Sequence, residues 1–204
     1  MLLVAGIGIF SFLLINQSSG PSLPSGAQRS PPAGGYDATL AKPAKIAPPL
    51  ALSNYSGGAP INLAAYRGKA VLVTFLYTHC PDVCPLITAN LREAQVKLGP
   101  NASKLEIIAV SADPQGDTRK EVAAYLARQQ MTGRMLYLTG SPRQLSKAWA
   151  DWSVGSQRDS ASPGLVAHSA LVYGITASGK ITTIYPASFD PSQIVHDVPL
   201  LASR

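Results

Sequence analysis

Apolar positions fall into three regimes along the chain. Met1 to Ile15 is almost wholly apolar and uncharged. Asn16 to Pro49 breaks into Gly/Pro/Ser clusters such as Ser18-Ser19-Gly20-Pro21-Ser22 and Ser30-Pro31-Pro32-Ala33-Gly34-Gly35, which cannot bury enough apolar surface to fold alone. From Leu50 onward, short apolar blocks alternate with stripes of helical period. Five of the eight residues from Ala70 to Tyr77 are β-branched or aromatic, which predicts a buried strand. Ile87, Leu91, Ala94 and Leu98 form a helical stripe closed by Gly99-Pro100. A second strand is predicted over Leu105 to Val110. A helix follows, capped by Asp117 or Thr118 and carrying Val122, Tyr125 and Leu126. Met135 to Leu138 reads as a third strand, and Ser141 or Pro142 opens a helix with Leu145, Ala148, Trp149 and Trp152. Leu171 to Ile175 and Ile181 to Tyr185, joined by Ala177-Ser178-Gly179-Lys180, read as a hairpin, and Asp190-Pro191 starts a last helix through Leu201. Strands alternating with helices and then a terminal hairpin predict an α/β sandwich with parallel pairs and an antiparallel edge.

Composition adds boundaries to this pattern. With 204 residues, 46% hydrophobic and 14% charged, the chain suits one core-forming domain plus appendages. The expected division is an apolar anchor or signal over 1–15, a flexible linker over 16–49 and a globular domain over 50–204. Fifteen apolar residues fall short of a full span of ~20, and no Lys or Arg precedes Arg29. The missing positive flank suggests a start upstream of Met1. The absence of a small-x-small site directly after the run favours a retained anchor over a cleaved signal. Anchor, tether and domain together describe a protein held on the outer face of a membrane. The formal net charge of +6 is scattered, with no basic run longer than Arg119-Lys120, so nucleic-acid binding is a poor reading. A basic surface favours an acidic partner or the headgroup layer instead.

The only two cysteines lie in Thr78-His79-Cys80-Pro81-Asp82-Val83-Cys84-Pro85, directly after the strand at Ala70 to Tyr77. Pro81 and Pro85 suit a helix's first turn, where a missing N–H costs little. The spacing is Cys-x₃-Cys, not the Cys-x₂-Cys of thioredoxin-like redox motifs. On a helix, positions i and i+4 share one face about 5–6 Å apart at Cβ. Such thiolates can clamp a soft ion or, with relaxation, close a disulfide. A purely structural disulfide is the weaker reading, because so short a loop constrains the unfolded chain little. Of the three histidines, His79 should point away from the thiols and His196 lies mid-helix. His168 precedes the hairpin and can reach the neighbouring strand end. Two thiolates and one imidazole would suit copper, with zinc possible. Asp82, Asp113 and Asp117 read as helix-start and turn residues, and Trp149 and Trp152 as core.

The run Tyr77 to Pro85 resembles the copper motif of the Sco/SenC family. Ser111-Ala112-Asp113-Pro114 followed by Asp117-Thr118 is similar to a second family stretch. A third is His168 heading the Tyr173…Gly179-Lys180-Ile181…Tyr185 hairpin. The resemblance runs from about Leu50 to Leu201. It implies a thioredoxin-like three-layer sandwich, with a central mixed sheet, flanking helices and a terminal β-hairpin. It implies Cys80, Cys84 and His168 as ligands of Cu(I) or Cu(II), in a membrane-tethered extracytoplasmic metallochaperone. The implied partner is cytochrome c oxidase subunit II or another extracytoplasmic cuproprotein. His79, Ser169 and Thr176 depart from the residues common at their places, and none of them is a ligand position. The alternative is a thiol–disulfide oxidoreductase in which Cys80 attacks and Cys84 resolves, which needs no His168. A peroxiredoxin-like peroxidase stands third.

Overall fold

The computed structural model describes residues 35–158 and 165–204; the expected anchor over 1–15 and most of the linker lie outside them. Among the described residues, no helix is long and apolar enough to cross a membrane. In chain order the strands are β1 (Thr39–Ile46), β2 (Ser53–Asn54), β3 (Ala70–Leu76), β4 (Leu105–Ser111), β5 (Leu136–Thr139), β6 (Ser156–Arg158), β7 (Val166–His168), β8 (Leu171–Ile175) and β9 (Lys180–Pro186). The α-helices are α1 (Val83–Lys97), α2 (Arg119–Arg128), α3 (Pro142–Asp151) and α4 (Pro191–Ala202). Seven strands form one sheet in the order β1-β9-β8-β3-β4-β5-β2. The β3–β4 and β4–β5 pairs are parallel, whereas β3–β8, β8–β9, β1–β9 and β2–β5 are antiparallel. The strands β6 and β7 pair separately.

β3 is buried along its whole length, and its side chains alternate between two cores. Ala70, Leu72 and Leu76 face a layer built with Ile87 and Leu91 of α1, Val122 and Tyr125 of α2, and Ile194 and Val198 of α4. Val71, Val73 and Phe75 face Leu145 and Ala148 of α3, together with Trp152, Leu50 and Leu52. A continuous apolar run is the mark of a strand covered on both faces. The fold is the expected three-layer, thioredoxin-like α/β sandwich.

The helix ends follow from single residues. Thr118, not Asp117, caps α2 through its hydroxyl. Ser141 with Gln144 and Asp190 with Gln193 form full capping boxes on α3 and α4, each with proline in the first turn. The pair Trp149 and Trp152 divides: Trp152 is buried, while Trp149 is half-buried and donates its indole N–H to the Ser111 carbonyl at 3.0 Å.

The linker expected over 16–49 requires correction at its C-terminal end. β1 lies inside that stretch and pairs with β9, Thr39 opposite Ile184 and Ile46 opposite Lys180. Tyr36 and Ala38 belong to the core. The N–H groups of Asp37 and Ala38 donate to the buried Asp197 carboxylate at 2.8 and 3.1 Å. The domain therefore begins upstream of Leu50. β1 shows no apolar alternation because it is an edge strand exposed along almost its whole length, a place where proline such as Pro43 is tolerated.

Gly174 sits where β8 crosses under Thr183 of β9 and Leu201 of α4; an added Cβ would stand 2.0 Å from the Thr183 hydroxyl oxygen. Gly174→Ala is expected to destabilise the domain by about 1–3 kcal/mol through overpacking, lowering the thermal midpoint by roughly 2–4 °C per kcal/mol. Thermal denaturation followed by circular dichroism reads the shift.

Candidate metal and thiol site

The site forms where β3 ends and α1 begins. Thr78 and His79 turn the chain and α1 starts at Val83, so Cys80 lies ahead of the helix and Cys84 within its first turn. The helical i, i+4 relation expected for the pair is thus replaced by a turn-to-helix relation. Asp82 precedes the helix without a side-chain cap bond. A sulfur does part of the capping instead: the Cys84 N–H donates to Cys80 Sγ at 3.4 Å. A free N–H of the first turn beside the positive end of the helix dipole favours a thiolate there.

His168 arrives from the other side. It is the last residue of β7 and lies opposite Ser156 of β6. The Ser156 hydroxyl donates to the Ala112 carbonyl at 3.0 Å, which ties this small ribbon to the end of β4. The His168 Nε2 stands 3.5 Å from Cys84 Sγ, while its Nδ1 lies 3.3 Å from the Ser169 carbonyl. The ring thus turns Nδ1 to the backbone and Nε2 to the sulfurs. Tyr77 packs edge-to-face on the imidazole, centroids 5.6 Å apart. Tyr77, Cys80, Pro81, Val83, Leu165 and His168 line an open cleft of about 390 Å³.

The two thiols differ sharply. Cys84 is wholly buried and Cys80 is 8% exposed. Hydrogen bonding to the Cys84 side chain, then to His168 and the Asp82 and Cys84 backbone, lowers the Cys80 thiol from 9.0 to about 3, against opposition from burial. The same contact with Cys80, together with burial, pushes the Cys84 thiol up. At neutral pH the pair is one thiolate, Cys80, beside one thiol, Cys84.

A carboxylate behind the site reads from sequence as no more than a turn or capping residue. Asp117 is buried and accepts from the Thr78 N–H at 2.8 Å, the Ser111 hydroxyl at 2.6 Å and the Tyr137 hydroxyl at 2.9 Å. Burial raises its pKa, and the bonds from Ser111 and Thr78 partly offset that. It fixes the turn two residues before Cys80. Its place directly before the cap Thr118 hid this long-range role. A second polar chain backs Cys84, whose carbonyl accepts from the Thr88 hydroxyl at 2.8 Å and the Tyr125 hydroxyl at 3.1 Å. Asp113 is buried and accepts from the Gln115 N–H, and Asp82 is exposed. His79 points outward as expected, with Nε2 3.7 Å from Glu121. His196 lies on α4 and takes no part in the cleft.

A thioredoxin-like domain that carries a dithiol and an imidazole at the end of β3 defines a class of thiol or soft-metal proteins. Residues 38–203 match the SCO1/SenC family model, and the chain belongs to that family. It is 32% identical to the mouse mitochondrial SCO2 homolog over 146 residues, 69% of this chain and 56% of that protein. Identity to the human mitochondrial SCO2 homolog is 31% over 140 residues, 66% of this chain and 52% of that protein. The chain thus spans about half the length of the curated relatives it matches. Among solved structures it is similar to copper-bound ScoI of Bradyrhizobium japonicum, with TM-score 0.68 and 27% identity over 77% of this chain and 99% of that one. It is also similar to apo Sco1 of Thermus thermophilus, with TM-score 0.68 and 26% identity over 83% of this chain and 98% of that one.

Two outcomes follow from the site's electrostatics. The Cys80 thiolate should keep an almost constant alkylation rate by iodoacetamide from pH 8 down to about pH 4, falling only near its pKa of about 3, with Cys84 unmodified; peptide mapping of the alkylated chain reads both. The depressed Cys80 pKa also contributes stability that is full above the unfolded value of 9.0 and is lost as pH falls toward 3. Separately, Asp117→Asn leaves one acceptor oxygen where three donors converge. It is expected to cost about 1–3 kcal/mol for an unsatisfied buried donor, measured by denaturant unfolding.

Proposed function

We propose that this protein is a membrane-tethered, extracytoplasmic copper metallochaperone that carries copper on Cys80, Cys84 and His168 and hands it to a cuproprotein acceptor. The observation that carries the reading is the approach of the His168 Nε2 to 3.5 Å from Cys84 Sγ beside the Cys80 thiolate. Family membership and the copper-bound relative from Bradyrhizobium support copper as the cargo. Two soft sulfurs suit Cu(I), and the imidazole answers the greater demand of Cu(II) for nitrogen. The acceptor we propose is the copper centre of cytochrome c oxidase subunit II or a comparable extracytoplasmic site. The apolar run Met1 to Ile15 supplies the tether to the membrane, and the domain stands on its outer side.

The thiol asymmetry favours a second use of the same pair. Cys80 is a ready nucleophile toward a partner disulfide: its thiolate bonds one partner sulfur and expels the other as a thiolate. Cys84, losing its proton to His168 or solvent, then attacks Cys80 Sγ in the mixed disulfide. The partner leaves with both thiols reduced, and Cys80–Cys84 remains as the disulfide. This reaction needs no copper and no His168 ligand.

His168→Ala should weaken Cu(II) retention by more than about 100-fold, since loss of even an outer-shell partner typically costs 10–100-fold. It should also abolish the thiolate-to-Cu(II) charge-transfer bands of the copper-loaded chain. Unchanged copper stoichiometry and affinity in that variant would sink the ligand set. A copper-free reduction of a partner disulfide that survives His168→Ala and fails in Cys80→Ser would place thiol exchange first.

A further inference from the structure

A second group of metal-binding side chains lies where the chain enters the domain, away from the thiol cleft. Asp37, just before β1, faces His196 and Asp197 on α4, residues 160 positions from Asp37 at the farthest. The donor atoms of all three lie within 4.8 Å of one another. The His196 Nδ1 stands 2.8 Å from one Asp197 carboxylate oxygen and 3.6 Å from Asp37 Oδ1. Two ligands held tetrahedrally on one ion at zinc distances are separated by roughly 3.4 Å, so these spacings need little adjustment to share a cation.

The three donors are unequally satisfied. Asp197 is fully buried and also accepts from the Asp37 and Ala38 N–H groups and from the Tyr185 hydroxyl at 2.9 Å. Asp37 Oδ1, in contrast, is shielded from water yet has no hydrogen-bond partner. A buried carboxylate oxygen left in this state is costly, and a cation supplies what it lacks. His196 is partly exposed, with its side chain at 42%, which gives an ion a way in. One imidazole and two carboxylates make a borderline-to-hard set, unlike the two sulfurs and one imidazole of the cleft.

We propose that Asp37, His196 and Asp197 form a second cation site for a divalent transition ion of the zinc class, which clasps the N-terminal strand to α4. The competing occupant is a proton on the imidazole, which Asp197 favours by raising the His196 pKa. An ion here ties Asp37 to the last helix and stabilises the point where the tether joins the fold. Residues 1–34 contain no His, Cys, Asp or Glu, so the tether brings no ligands of these types to confuse the measurement.

The test uses the full chain with the thiol cleft silenced by Cys80→Ser, Cys84→Ser and His168→Ala, titrated with Zn²⁺ by calorimetry at pH 7.5 and followed by thermal denaturation. One equivalent is expected to bind, and saturating Zn²⁺ should raise the thermal midpoint by roughly 5 °C. Asp37→Asn and His196→Gln should each weaken binding more than about 10-fold and remove the midpoint shift. Asp197 is left intact, because its loss would strand Tyr185 and two backbone donors. His79→Gln should leave binding unchanged. The site is overturned if the silenced chain takes up no Zn²⁺ while His196→Gln still lowers its stability, which would make the contact a proton clasp alone. It is overturned equally if binding survives His196→Gln or disappears with His79→Gln.

Discussion

The Asp117 carboxylate gathers hydrogen bonds from the Thr78 N–H, the Ser111 hydroxyl and the Tyr137 hydroxyl, and Tyr137 also donates to the Leu76 carbonyl at 3.0 Å. These partners come from the C-terminal end of β4, from β5 and from the turn that follows β3. One buried acceptor thereby ties together the three parallel strands β3, β4 and β5. Cys80 lies two residues beyond Thr78, so its position is set by this carboxylate as much as by the sheet. A buried ion without such donors would be expensive; with them it becomes a fixed point from which α1 departs.

From that fixed point the thiol chemistry follows by geometry. Because α1 starts at Val83, Cys80 is left facing the free N–H of Cys84, and Cys84 is carried into the core. The first arrangement stabilises a thiolate and the second retains a proton. The separation of the two acidities is therefore a consequence of a single chain reversal at a helix N-terminus, with the imidazole brought to the buried member of the pair.

Much of this was legible in the residues. β3 is visible as an uninterrupted apolar run because both its faces are covered, and α3 and α4 announce themselves through Ser141 and Asp190 with glutamine three positions on. The cysteine pair and His168 could be singled out by residue type and place. β1 could not, since its side chains are almost all exposed and its attachment rests on backbone pairing and on the flanking Tyr36 and Ala38. β6 and β7, three residues each, are too short to carry a period, although they are what delivers His168. Asp117 and Asp197 escaped for a common reason. Both are carboxylates on or beside helices, where local reasoning assigns caps and solvent, and only long-range contacts reveal them as buried anchors.

The unequal support of the three proposed copper donors bears on how a carrier can release its cargo. Cys80 and Cys84 rest on a wholly buried strand, a helix start and a carboxylate anchor. His168 rests on a ribbon of two three-residue strands, tied to the end of β4 by the Ser156 hydroxyl and to the core by Val166. Three-residue strands open at lower free energy than the long central strands. The imidazole is therefore the donor that can withdraw while the sulfurs stay in place. Cys80, which lines the cleft, is then the sulfur an acceptor's own ligands meet first, and Cys84 is the last to let go. For the proposed carrier, the short ribbon rather than the thiol turn is thus the element whose opening frees a copper position.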